Sequence, residues 1–210
     1  MLKEKYQRLK YELMKNNLEK NFFLFDEKNY EIRKKSLIEQ LEKQIALYQK
    51  IYHCSEIVCL GIGTNKFLDA NFDTFGPRVN SNLKKKELPD FVKLYGTMEQ
   101  PLHAGNIEPF CKQQDWKQKL VLVCDSAVAT QSIGCVQIKD QGVFPGLGFD
   151  KKLPFLGDFQ ICFFIQNPNI DLLGINNKTI YQMSEITSDL LYHVFQRRNE
   201  HLKKKILKKG

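Results

Sequence analysis

Two aspartates stand where a carboxylate could do chemistry. Asp125 directly follows Leu120, Val121, Leu122, Val123 and Cys124, an apolar run that reads as a buried strand. Burying a carboxylate at the end of such a run is costly unless something partners it. Asp73 lies in residues 64–77, a loop after the apolar run 56–63, and Asp69 shares that loop. In sheets built from such strands, ligands bind in the crevice beyond the carboxyl ends. Both aspartate loops open there, as does Gly96-Thr97 after residues 91–95. Two carboxylates facing one crevice push their pKa values apart and can polarise a water, one as base and the other as acid. The same pair could hold a divalent cation, with His103 as a third ligand. The plain structural alternative is capping: Asp73 for a helix beginning near Gly76, Asp125 for the segment after its own strand. On spacing alone, capping and chemistry weigh equally.

Other chemistries fail on detail. Gly61-x-Gly63 opens like a dinucleotide turn, but position 66 is Lys and a long loop follows instead of a helix. No Gly-Lys-Ser/Thr makes a Walker loop, and no G-x-S-x-G elbow supports a serine nucleophile at Ser126 or Ser132. Cys124 precedes Asp125 in the same strand, so its thiol should face the other side of the sheet. His53, His193 and His201 sit on polar helical stretches and read as incidental. None of the six cysteines forms a C-x-x-C pair, and four lie in apolar runs, which predicts reduced core thiols.

The elements that must position these residues follow from periodicity. Before Cys54 the chain reads as helix: Leu2, Tyr6, Leu9 and Leu13 share one stripe, and Leu37, Leu41, Ile45 and Tyr48 another. Phe22-Phe23-Leu24-Phe25, with Asp26 as an N-cap, is expected to break this region into two helices. Strands are expected at 56–63, 91–95, 120–125, 133–139 and 159–165, and helices at 77–86, from Pro101, and over 172–202. Continuous apolar strands alternating with helices predict an α/β domain, its mainly parallel sheet covered on both faces. The boundaries are then residues 1–54 as a helical N-terminal extension and 55–210 as the α/β domain.

Bulk composition limits the function classes. The 210 residues, 42% hydrophobic, are enough for one substantial core. No apolar run approaches a membrane span, and the Lys- and Glu-rich start is unlike a signal peptide, so a soluble cytoplasmic protein is expected. The net charge of +8 gathers at the two ends without a zinc-finger or aromatic RNA-binding pattern. Solvated helix ends explain it, and no specific nucleic-acid partner is expected.

Five segments, in order, carry a family resemblance. Asp73-Thr74-Phe75-Gly76-Pro77 resembles the Asp-x-x-Gly-Pro element of the spore protease YyaC and germination protease group. Gly96-Thr97-Met98-Glu99-Gln100-Pro101-Leu102-His103-Ala104 is similar to the YyaC-type Gly-Thr-x-x-x-Pro-x-His-Ala segment. Asp125-Ser126-Ala127-Val128-Ala129 resembles Asp-Ala-Leu-Ala of germination proteases. The run from Gln137 through Gly142, Pro145 and Gly146 to Gly148 resembles their Gln-Ile-x-Asp-x-Gly-x-x-Pro-Gly-x-Gly loop. Leu153-Pro154-Phe155-Leu156-Gly157-Asp158 looks YyaC-like.

The resemblance covers residues 57–165. It implies a three-layer phosphorylase/hydrolase-like fold, shared with the hydrogenase maturation peptidases. It implies a sporulation-associated endopeptidase in which Asp73 and Asp125 are catalytic, while Gly96, Thr97, His103, Gly142, Pro145, Gly146 and Gly148 shape the substrate cleft. The alternative is a catalytically silent sporulation scaffold or binding protein that retains the fold, with the aspartates as caps and the N-terminal helices as its working surface. The implied partner is a protein or peptide substrate, small acid-soluble spore proteins among them, in a forespore or spore core; a homo-oligomer is left open. The loop from Gly63 to Asp73 is longer than the family pattern, which makes Asp69 the fallback acid. No His stands where the hydrogenase peptidases bind nickel, since residues 155–160 carry none. No metal or other cofactor is therefore expected.

Overall fold

A computed structural model describes residues 22–64, 71–144, 155–165 and 177–207. Six strands form one sheet: β1 (Phe22–Phe25), β2 (Glu56–Gly61), β3 (Val92–Tyr95), β4 (Lys119–Val128), β5 (Val136–Lys139) and β6 (Phe159–Ile165), in the spatial order β1-β5-β6-β4-β2-β3. The run β3-β2-β4-β6 is parallel, whereas β5 and β1 add antiparallel at one end. Four described helices accompany the sheet: α1 (Glu27–Tyr52), α2 (Phe75–Lys84), α3 (Ile107–Gln113) and α4 (Asn177–Leu207). The expected three-layer α/β fold with a mainly parallel sheet is present. Among the described residues, no helix is long and apolar enough to cross a membrane.

The two faces bury different sets of side chains because strand residues alternate. Ile57, Cys59, Leu122, Cys124, Ile161 and Phe163 point to the layer of α1, α2 and α4 and share its core with Leu41, Val79 and Leu190. Val58, Leu60, Val121 and Val123 point the other way, onto Ile107, with Phe110 and Trp116 packed beside them.

The stripe Leu37, Leu41, Ile45 and Tyr48 is buried along α1, as its spacing predicts, and Tyr48 packs on Phe159 with ring centroids 4.6 Å apart. Phe22–Phe25 differs from expectation: it is an edge strand, not a break between helices. Phe23 and Phe25 are buried in the large core, each burial worth about 2 kcal/mol. Four consecutive apolar residues cannot share a helical stripe, but alternation lets two of them enter a core. The helix begins directly after, because Asp26 and Asn29 form a reciprocal capping box with bonds of 2.8 and 3.1 Å. The first 21 residues, with the Leu2-to-Leu13 stripe, lie outside the described residues.

A second departure concerns Pro101. It does not open a helix; residues 101–103 carry a sheet bridge, residues 104–106 turn, and α3 starts at Ile107. Leu102 instead extends the sheet beside Ile62, and the Gly63 amide donates to the Leu102 carbonyl at 2.8 Å.

α2 is tied to the sheet by Asn80, which is fully buried and donates to the carbonyls of Cys59 (3.1 Å) and Tyr95 (2.7 Å). Aspartate at this position would aim a carboxylate at two carbonyl oxygens with nothing to donate. Asn80→Asp is expected to cost on the order of 4 kcal/mol, read from urea unfolding. A loss under about 1 kcal/mol would show that the helix is held by packing alone.

Candidate active site

Four glycines allow the crevice to form. β2 ends at Gly61, opposite Cys124, while β4 runs on to Val128. Into the space beside β4 comes a short 3-10 turn, Asn71–Thr74, which carries Asp73 and leads into α2. A Cβ on Gly76 would collide with the backbone of Cys124 and Ile62, and one on Gly61 with the carbonyls of Gly96 and Gly76. Gly63, at φ +144°, lies against the Asp73 carbonyl, and Gly96 takes the left-handed φ of +77° that lets it rest on Gly61. Backbone therefore meets backbone where the strand ends, the turn and the helix start converge.

This packing puts Asp125 within reach of the charge of Asp73. The Thr64 amide donates to the Asp73 carboxylate at 3.1 Å and also to its carbonyl at 3.0 Å. Desolvation raises the Asp73 pKa to about 6, against the pull of the Thr64 amide. Asp125 is raised well above the ordinary carboxylate range, first by burial and then by the negative charge of Asp73, with the Ser126 amide at 2.8 Å opposing. Neither acid fills the capping role that spacing left open. Thr74 is the N-cap position of α2 and makes no side-chain cap bond, while Asp125 lies inside β4 and not after its end.

The remaining expected residues divide. Gly96 belongs to the glycine seam. Thr97 is buried and its hydroxyl accepts the Gln100 amide at 3.3 Å, closing the turn after β3. His103 is not on a helix; its ring Nδ1 accepts the Gly105 amide at 3.0 Å, and its carbonyl receives the first amides of α3. Gly142 packs against the carbonyls of Leu156 and Gly157, so that Val143 and Leu156 exchange backbone bonds of 2.8 and 2.9 Å. Pro145, Gly146, Gly148 and the fallback Asp69 lie outside the described residues. Among the described residues, no three His, Cys, Asp or Glu side chains are grouped to hold a metal ion.

Cys124 points into the helical core, as its place before Asp125 requires, and burial pushes its thiol pKa well up. Cys162 is the residue the motifs did not flag. Its Cα pairs with Asp125 across β4 and β6, which puts the thiol on the acid's face, 2% exposed and in the field of Asp125. The period-2 pattern of β6 carried that signal, but only the register joins the two residues. Asp158, at the end of the Leu153-to-Asp158 motif, braces the sheet, since its carboxylate accepts the Val121 amide at 2.9 Å.

A surface cavity of about 520 Å³ lies elsewhere, between α1, α2 and α4, lined by Tyr30, Asn82, Lys86, Glu185 and Asp189. It opens from the helical layer, away from the face that carries Asp125. Among its acids, Asp189 is already bonded to Lys34 at 2.6 Å and Tyr30 at 3.1 Å, with His193 at 3.4 Å.

Residues 27–190 match the family described as "Protein of unknown function (DUF1256)". The chain is 32% identical over 133 residues to the protein described as "Uncharacterized protein YyaC" from Bacillus subtilis (strain 168), covering 56% of this chain and 62% of that one. It thus spans less than two-thirds of that relative's length. Among solved structures it is similar to the NiFe hydrogenase maturation protease HycI from Thermococcus kodakarensis KOD1, at 19% identity and a TM-score of 0.43, covering 68% of this chain and 93% of that one.

Proposed function

The chain belongs to the DUF1256 family, and on that footing we propose that it is a peptidase-like hydrolase in which Asp73 and Asp125 share one water. One observation carries this reading: two partly buried carboxylates close enough for one to raise the other's pKa, held by a backbone seam that tolerates no side chain. Shifted pKa values of this kind collect where protons are moved.

The division of labour follows from the order of titration. Asp73, at about 6, is the carboxyl that ionises first on this reading, and Asp125, raised well above the ordinary carboxylate range by burial and by the charge of Asp73, is assigned the proton. Asp73 takes a proton from the water as its oxygen attacks the carbonyl carbon of a peptide bond. The proton of Asp125 then passes to the leaving nitrogen as the carbon–nitrogen bond breaks. Thr64 holds the base carboxylate through its amide, and the turn at Gly96-Thr97 flanks the crevice. The substrate is a protein or peptide. The resemblance to germination proteases narrows this to a sporulation-linked endopeptidase acting on small acid-soluble spore proteins.

The test is cleavage of those proteins and of a proteome-derived peptide library by wild type and Asp125→Asn, each with and without chelator. Removing a general acid should slow cleavage on the order of 10³-fold, and chelator should change neither rate. Full activity in Asp125→Asn, or no cleavage by the wild type, would overturn the assignment.

A further inference from the structure

Of the four described arginines, three spend a terminal nitrogen on an acceptor. Arg33 donates from Nη1 to the Leu24 carbonyl at 2.7 Å. Arg197 and Arg198 each set a terminal nitrogen 3.6 Å from a carboxylate of α1, on Glu39 and Glu42 respectively. Arg78 is the exception. Neither of its terminal nitrogens has a hydrogen-bond or ion-pair partner among the described residues, and neither is buried.

The guanidinium is nevertheless held in place. Its Nε donates to the Thr74 hydroxyl at 2.9 Å, and Thr74 is fully buried. Its Cζ lies 3.6 Å from the centroid of the Tyr181 ring on α4, a cation–π contact over one face. One edge and one face are thereby fixed, and the fork of Nη1 and Nη2 is left for solvent. Thr74 closes the turn that carries Asp73 and leads into α2, so this clamp stands on the shoulder of the crevice. Asp73 does not neutralise it. That carboxylate is bonded to the Thr64 amide, and no cation offsets the effect of its burial.

We propose that Arg78 is a specificity residue of this crevice, its fork taking a carboxylate of the bound peptide. The inference rests on the peptidase reading for the class of ligand but concerns binding, not cleavage. The anions a peptide offers are carboxylates, and their two oxygens match the parallel N–H groups of a guanidinium fork. A fork already held by Thr74 and Tyr181 avoids much of the ordering cost that a loose side chain adds to binding. Five residues of turn and helix separate Arg78 from Asp73, a rise of about 8 Å. An extended chain covers that length in about two or three residues. The fork therefore selects an Asp or Glu about that far from the reacting bond.

The experiment uses the full chain carrying Asp125→Asn, so that bound peptide is not consumed. Fluorescent decamer pools with both ends blocked and no other acid are titrated, with Glu or Gln fixed at each position in turn. A further neutral pool carries a free C-terminal carboxylate. At one position the Glu pool should bind about tenfold tighter than its Gln counterpart. Arg78→Gln should abolish that difference and leave the Gln pool's affinity unchanged. Arg78→Met, which keeps the stem beside Tyr181, replaces it if the Gln form does not fold. Tighter binding of the free-carboxylate pool, equally lost in Arg78→Gln, would support the fork and make the chain end its ligand. Equal binding of charged and neutral pools, a preference that survives the substitution, or no pool bound would each overturn the assignment. So would a lowered Tm with uniform loss across all pools, which would make Arg78 a structural clamp alone. An Arg78-dependent preference in a protein whose wild type cleaves nothing would keep the carboxylate site and refute the hydrolase.

Discussion

Asp73→Asn is expected to slow peptide hydrolysis on the order of 10³-fold while making the protein more stable at pH 8. The two effects have one cause. The pKa of Asp73 stands at about 6 in the folded chain against an ordinary 3.8. Between those values the folded state holds more protons than the unfolded one, so stability falls as pH rises through that window. Above pH 6 the full cost of a desolvated carboxylate is present. Asparagine keeps the acceptor for the Thr64 amide and carries no charge. The shift corresponds to about 3 kcal/mol, which partial solvent access reduces to about 2. For a chain of this size that is about 4–8 °C in Tm. Thermal unfolding at pH 4 and pH 8 checks it: the variant and wild type should coincide at pH 4 and separate at pH 8. Wild-type hydrolysis should in turn rise with a midpoint near pH 6, as Asp73 becomes a base. A variant less stable at pH 8 than wild type would show that the Asp73 carboxylate is a structural anchor.

Gly76→Ala is expected to cost more than about 4 kcal/mol, at the far end of single substitutions. Only one methyl is added, but the atoms it meets are the backbone of Ile62, at 2.6 and 2.7 Å, and the Cys124 carbonyl. No flexible side chain stands there to give way. Relief requires α2 to lift from β2 and β4, which would carry Asp73 away from Asp125 and release Phe75 from its stack on Phe163 (centroids 5.2 Å apart). Urea unfolding monitored by circular dichroism measures the loss. A folded variant with wild-type stability would mean that the turn and helix can shift without penalty, and the acid pair would no longer depend on the seam. The expected coupling is strict: any variant that opens the seam should lose activity with stability, unlike Asp73→Asn.

The motifs place the two acids at the mouth of the sheet, and the structure brings them together there. The apolar runs at β2, β4 and β6 announce buried parallel strands because no polar residue interrupts them. Phe22–Phe25 misleads because four apolar residues carry no period of their own; β5 offers an open edge, and pairing settles the matter. Pro101 signals a helix start, but the bridge between Ile62 and Leu102 holds the chain extended for several more residues. Thr97 and His103 stand out in the sequence as polar residues beside a crevice. The Thr97 hydroxyl and the His103 ring close local turns, a use that sequence does not distinguish from ligand binding.

By itself, the sequence determined which stretches must be buried, where a helix must be capped at Asp26, and that two carboxylates follow apolar strands. Those properties depend on neighbours along the chain: hydropathy, period and local hydrogen-bonding groups. Tertiary structure alone decided that Asp125 feels the charge of Asp73, that Cys162 pairs beside Asp125, and that Gly61, Gly76 and Gly96 serve as contact surfaces. Each of these depends on register and on the approach of backbones far apart in sequence. The chemistry of a pair of acids arises from the distance between them, and only the folded sheet sets that distance.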